Sequence, residues 1–151
     1  MSDSDILTNF KIALMTKFNA LVAGSNNSFY NAIQGRFFDG RAPAGTDYPH
    51  SLFFVVSHVT DRVFAGDYRE LLVQFSHYSI DPESAAEIEL VNAYCNDLFD
   101  ECAAFTITGA TLIWMRMTNS PGAQWEDFTT TIGTDGGWHA PTDFEVTIKM
   151  K

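Results

Sequence analysis

Leu52-Phe53-Phe54-Val55-Val56 is an unbroken apolar run, bounded by Pro49 before it and Ser57-His58 after it. That pattern predicts a strand covered on both faces, and hence a central one. Further on, Leu71, Val73 and Phe75 alternate with Leu72, Gln74, Ser76 and Tyr78. Glu70–Ile80 therefore predicts a second strand, oily on one face and amphipathic on the other. The intervening Asp61–Asp67, with Gly66-Asp67 suited to a turn, predicts an antiparallel hairpin with a longer loop. The period then changes. Ala85, Ile88, Val91, Cys95, Leu98 and Cys102 recur three or four apart behind Asp81-Pro82-Glu83, which predicts a helix over about 81–102 that Asp81 caps and Pro82 opens.

Before this block, Leu7, Phe10, Leu14, Phe18 and Leu21 form a stripe predicting a helix from Ser4 to Ala23, ended by Gly24. The segment of about 24–49 reads as a long loop with its own apolar anchors Phe29, Tyr30, Phe37 and Phe38, of the kind that forms a lid or meets another chain. After the second helix, Phe105–Thr108, a Gly109-Ala110 break and Leu112–Met117 predict one bent strand or two, with Trp114 in the core. Asn119-Ser-Pro-Gly122 predicts a turn, Trp125–Ile132 a weakly alternating strand, and Gly133–Gly137 a hairpin turn before Trp138. Phe144, Val146, Ile148 and Met150 alternate with polar residues, so the last strand has one wet face. The expected fold is α+β: one domain over 1–151, whose mostly antiparallel sheet is packed on one face by the N-terminal helix and the helix at about 81–102.

Charge and composition narrow the function. The 151 residues carry 9 Lys+Arg against 19 Asp+Glu, a net charge of −10, which sets phosphate binding aside as the main role. Thirteen Phe exceed what a core of this size ordinarily needs, pointing to rings meant for a partner. The acidic, polar opening Met1-Ser-Asp-Ser-Asp5 does not read as a secretion signal, and no run approaches a membrane span. Cys95 and Cys102 read as ordinary buried thiols, suited to a reducing cytoplasm.

Candidate chemistry is sparse. His50, His58, His77 and His139 form no metal-ligand spacing, no serine sits in a nucleophile elbow, and the turn before the helix at Asp81 lacks the glycines of a phosphate loop. Asp61, Asp67, Glu70 and Asp127 could form a carboxylate pair, a coincidence to be expected in so acidic a chain. The expectation is no catalytic residue, cofactor or metal. An enzyme or small-ligand module in the cytoplasm, with a pocket between helices and sheet using His77, Tyr78 or Trp138, is the alternative of a different class.

Three pieces of text carry a resemblance: Arg41-Ala-Pro-Ala-Gly-Thr-Asp-Tyr-Pro-His50 leading into Leu52–Ser57, the strand Leu71-Leu-Val-Gln-Phe-Ser76, and Asp81-Pro-Glu-Ser-Ala85 opening the helix. With the N-terminal helix, this order resembles the tail terminator, or tail completion, proteins of long-tailed bacteriophages, over about Leu7 to Thr147. The resemblance implies a small α+β subunit that forms a homo-hexameric ring, caps the tail tube, stops its polymerisation and meets the head connector. It implies residence at the head-proximal end of the virion tail after assembly in the host cytoplasm, with DNA passing through unbound and no membrane contact. A head–tail joining, neck or minor tail protein is the related alternative.

Contact residues follow from exposure arguments. Arg36, Phe37, Phe38 and Arg41 in the long loop, and Arg62 and Phe64 at the hairpin's far end, combine the Arg and aromatic side chains enriched at interface hot spots. Phe37-Phe38 could equally plug the core edge. The final strand, Phe144–Met150, is expected at a sheet edge where it could pair with a neighbouring subunit.

Overall fold

The alternation of Leu71, Val73 and Phe75 does build a strand, and it lies at the middle of the sheet. In the computed structural model, which describes residues 2–20, 27–64, 66–100, 105–127 and 136–151, the elements follow the order α1 (Asp3–Asn19), α2 (Ser28–Ile33), β1 (Phe37–Asp39), β2 (His50–Val63), β3 (Gly66–Ser79), α3 (Ala86–Phe99), β4 (Ala110–Asn119), β5 (Gln124–Glu126) and β6 (Gly137–Met150). The fold is α+β. Its six-stranded sheet has the order β1-β2-β3-β6-β4, with β5 pairing β6, and every pairing is antiparallel except β1 with β2.

Cross-strand partners share a face, so the register sorts the side chains. Phe53, Phe75 and Thr142 line up on one face, as do Val55, Val73, Phe144 and Met117, and Leu71, Val146 and Met115. This face meets the helices. Phe10, Leu14 and Phe18 of α1, Phe29 and Ile33 of α2, and Ile88, Val91, Cys95 and Phe99 of α3 are all buried. Around Phe37 stand the rings of Phe18, Phe29, Phe53, Phe75 and Phe99, with centroids 4.6 to 6.5 Å from it. Among the twelve Phe in the described residues, nine are buried. The aromatic excess is therefore core material, each ring contributing roughly 1.5–3 kcal/mol on burial.

Several expectations need correction. The helix expected from Asp81 begins five residues later, at Ala86. Asp81 is held in a turn: its carbonyl accepts from the Trp138 indole at 2.9 Å, and its carboxylate accepts from the Glu83 amide rather than capping a helix. The helix ends at Phe99, and Cys102 lies outside the described residues. The N-terminal helix starts earlier than Ser4, because Ser2 caps it in a reciprocal capping box with Asp5; it stops at Asn19, and the expected end at Gly24 lies outside the described residues.

The segment expected as a loop over 24–49 contains α2 and β1. Asn27 accepts from the Tyr30 amide to start α2, and Gln34 in the left-handed conformation ends it. The hairpin is tighter than expected, since Val63 and Gly66 already face each other. The run Leu52–Val56 is not central: β1 covers only Ser51–Phe53, and β2 lies second from one edge. The final strand is no edge, because β6 is flanked by β3 on one side and β4 and β5 on the other. Phe105–Thr108 is no strand; among the described residues it makes one isolated bridge, Ile107 to Ala110. Of Trp125–Ile132 only the start forms β5, and 128–135 lie outside the described residues. No described helix is long and apolar enough to cross a membrane.

Candidate assembly surfaces

Helices cover one face of the sheet; the other presents mostly polar side chains in rows, with Leu72 and Trp114 among them. Asp61, Tyr68, Lys149 and Thr111 form one row, Glu70, Thr147 and Trp114 the next, and Leu72, Glu145 and Arg116 the third. Arg116 approaches Glu145 at 3.4 Å with both side chains about half exposed, and its guanidinium lies 4.9 Å from the Trp114 ring centroid. An exposed pair of this kind contributes little to stability. Towards the other end of the strands the rings of Tyr48, His50, Tyr78 and His139 stand in a ladder, successive centroids 4.7, 5.4 and 4.7 Å apart. His139 closes it through Glu126 at 3.1 Å. Burial lowers the His50 pKa and raises those of Tyr48 and Tyr78.

The six residues predicted for contacts fall at the two ends of β2, which at about 3.3 Å per residue lie on the order of 40 Å apart. At one end the structure divides them. Phe37 is buried at the centre of the ring cluster and is a core residue, not an interface one. Arg36 is a brace: its guanidinium donates to the carbonyls of Pro49 and Tyr48 at 3.0 and 3.1 Å, fastening the segment before β2 to the end of α2. Phe38 is half-buried, and Arg41 is exposed. At the other end Phe64 is fully exposed, and Arg62 is 76% exposed beside Asp67 at 3.9 Å.

Sequence reasoning missed the sheet edges. Among the described residues ten large apolar side chains are exposed, and seven belong to two opposite edges: Val56, Val59, Val63 and adjoining Phe64 along β2, and Ile113, Trp114 and Met117 on β4. Trp114, expected in the core, is 42% exposed. The signal was present in Leu112–Met117, where an Arg interrupts an apolar run, but without strand order it reads equally well as core.

The chemistry-bearing residues do not converge. His77 is completely buried, accepts or donates through Nδ1 at 2.7 Å from the Ser51 hydroxyl, and packs edge-on against Phe29 of α2. Burial drives its pKa down to about 3. Tyr78 points to the opposite face of the sheet, and the Trp138 indole is engaged by Asp81. The open groove of about 500 Å³ between α1 and the 105–108 segment is lined by Asn9, Ile12, Ala13, Thr16 and Phe105, with Lys17 its one titratable side chain among the described residues. Among the described residues no cluster of three His, Cys, Asp or Glu could hold a metal ion.

No protein-family model matches the chain, and no curated protein matches it in sequence. The fold, however, has solved counterparts. A chain of the virion of native gene transfer agent (GTA) particle superposes with a TM-score of 0.72 over 95% of this chain and 97% of that one, at 10% sequence identity. The likeness is one of fold.

Proposed function

We propose that this protein is a structural virion subunit of a tailed phage or phage-like particle, a tail terminator that forms a ring on the end of the tail tube, stops its growth and meets the head connector. The observation that carries this reading is the fold shared end to end with a chain of a gene transfer agent virion. The sequence pattern of Arg41–His50, Leu71–Ser76 and Asp81–Ala85 supports the terminator role within that class. Two apolar edges on opposite sides of one sheet suit a ring, in which each subunit offers different patches to its two neighbours. The acidic composition suits a DNA passage: six copies at −10 each would carry about −60 and hold phosphates off.

The mass in solution across a concentration series, read with negative-stain images of the largest species, tests the ring. Six-subunit rings with an open centre are expected, and purified tail tubes should acquire one ring at one end and cease to elongate. A compact dimer without a hole would overturn this reading. Rings that bind connectors but ignore tube ends would move the protein to the neck.

A further inference from the structure

We propose that neighbouring subunits are joined strand to strand, the outer edge of β4 on one copy pairing antiparallel with the uncovered half of β2 on the next, with Asp61 opposite Arg116 and Val63 opposite Trp114. The contact deepens the ring reading and rests on it. From Val56 to Val63, β2 has no outer strand beside it among the described residues, since β1 stops at the Phe53 position, and all of these residues but His58, which is partly covered, are exposed. Beyond its bulge at Val55/Ser57, β2 pairs regularly with β3 from Ser57 to Val63, so its outer rim is a straight row of free backbone groups. Across the sheet β4 pairs with β6 alone among the described strands, and between its two bulges Trp114–Met117 is regular. Such edges are templates for another strand, and native chains usually guard them with proline or lysine. Neither strand contains either residue.

The occupant is a second copy because the two edges complement each other. Successive neighbours in the order β2-β3-β6-β4 are antiparallel, so β2 and β4 run in opposite directions. A rotation about an axis along the strands brings β4 of one copy beside β2 of the next, antiparallel, with the helices kept on one side. Asp61 and Arg116 both lie on the helix-free face, in rows with Tyr68 and Glu145 respectively. Setting them opposite each other places Val63 against Trp114 on that face and Thr60 against Met117 on the other. Asp61 has no partner among the described residues, and Arg116 has only its exposed contacts to Glu145 and Trp114. The joint is heterologous, so it leads to a closed ring or an open filament rather than to a dimer.

The test is a Val63→Cys/Trp114→Cys double variant oxidised in solution, beside each single variant and a charge swap. Directly opposed residues of an antiparallel pair have Cβ atoms roughly 4.5–5.5 Å apart, close to the reach of a disulfide. The double variant should give a ladder of covalent oligomers up to the ring, and the single variants none. Asp61→Arg or Arg116→Asp should each raise the concentration at which rings fall apart about tenfold, and the two together should restore it. Rings that persist while the double variant gives no ladder and the charge reversals have no effect overturn this contact and leave the ring standing. Dimers from Val63→Cys alone show β2 meeting β2 and overturn it as well. A wild type that forms no ring in solution or on tube ends overturns the contact and the proposed function together.

Discussion

At His77 one residue's environment sets a pH dependence that can be measured. The imidazole is buried with a pKa of about 3, whereas in the unfolded chain it titrates near 6.5. Above pH 6.5 both states are neutral and the residue adds no slope. Between pH 6.5 and 3 only the unfolded chain takes up the proton, so stability falls as pH falls, by about 1.4 kcal/mol per unit and about 5 kcal/mol in all. Urea unfolding at a series of pH values should show this slope in the wild type. His77→Gln, which keeps a polar group towards Ser51 without a titration in this range, should be less stable at pH 8 and flatter below 6.5. Parallel profiles would mean that carboxylates alone carry the acid sensitivity. That His77 falls on the face of Leu71, Val73 and Phe75 is legible in the alternation; that Phe29 of α2 seals it there is not. Nor is the division of Phe37 from Phe38. Both follow Arg36, and only the pairing of β1 with β2 decides which ring turns inward.

Elements were legible in kind and less so in extent. The alternations of β3 and β6 are legible, as are the stripes of α1 and α3 within the described residues, because one face of each packs against a common core and the period records it. Where tertiary contacts overrule local signals, the boundaries moved. Asp81-Pro82 has good helix-start chemistry, yet the Trp138 indole holds the Asp81 carbonyl and delays α3 by five residues. The short β5–β6 hairpin shows the converse, a local backbone demand the sequence states plainly. Gly136 has φ +88° and lies so close to Glu126 that an added Cβ would overlap its carbonyl oxygen. Gly136→Ala should therefore destabilise the protein by roughly 1–3 kcal/mol through strain and forced separation of the strands. The Trp125 and Trp138 rings, 5.3 Å apart and edge to face, bridge this hairpin, so the loss should appear as changed tryptophan emission and a lower Tm. Unchanged emission and melting would show that β5 is free to shift without cost.

The whole molecule was legible in class and not in topology. Periodicity reveals that β6 has one apolar face but not which strands flank it, and so the last strand reads as an edge although it lies inside the sheet, while β4 and the part of β2 beyond β1, which are edges, read as interior. Net charge needs no topology, and it makes a prediction about assembly. Copies of charge −10 repel one another, and the range of that repulsion is about 30 Å at 0.01 M salt, about 10 Å at 0.1 M and about 3 Å at 1 M. At low salt it spans a whole subunit; at high salt it is confined to the contact. The apolar edge residues and backbone hydrogen bonds proposed to join the subunits are not weakened by screening, and one exposed ion pair per joint is worth at most about 1 kcal/mol. Rings should therefore form at lower protein concentration as salt rises, with a shift of tenfold or more between about 0.01 M and 0.5 M sodium chloride. Sedimentation velocity at fixed protein concentration measures it directly. The opposite trend, rings dissolving as salt is added, would show that charge pairs rather than edge strands hold the subunits, and would direct the search to Arg41 and Arg62 and the carboxylates they meet across the joint.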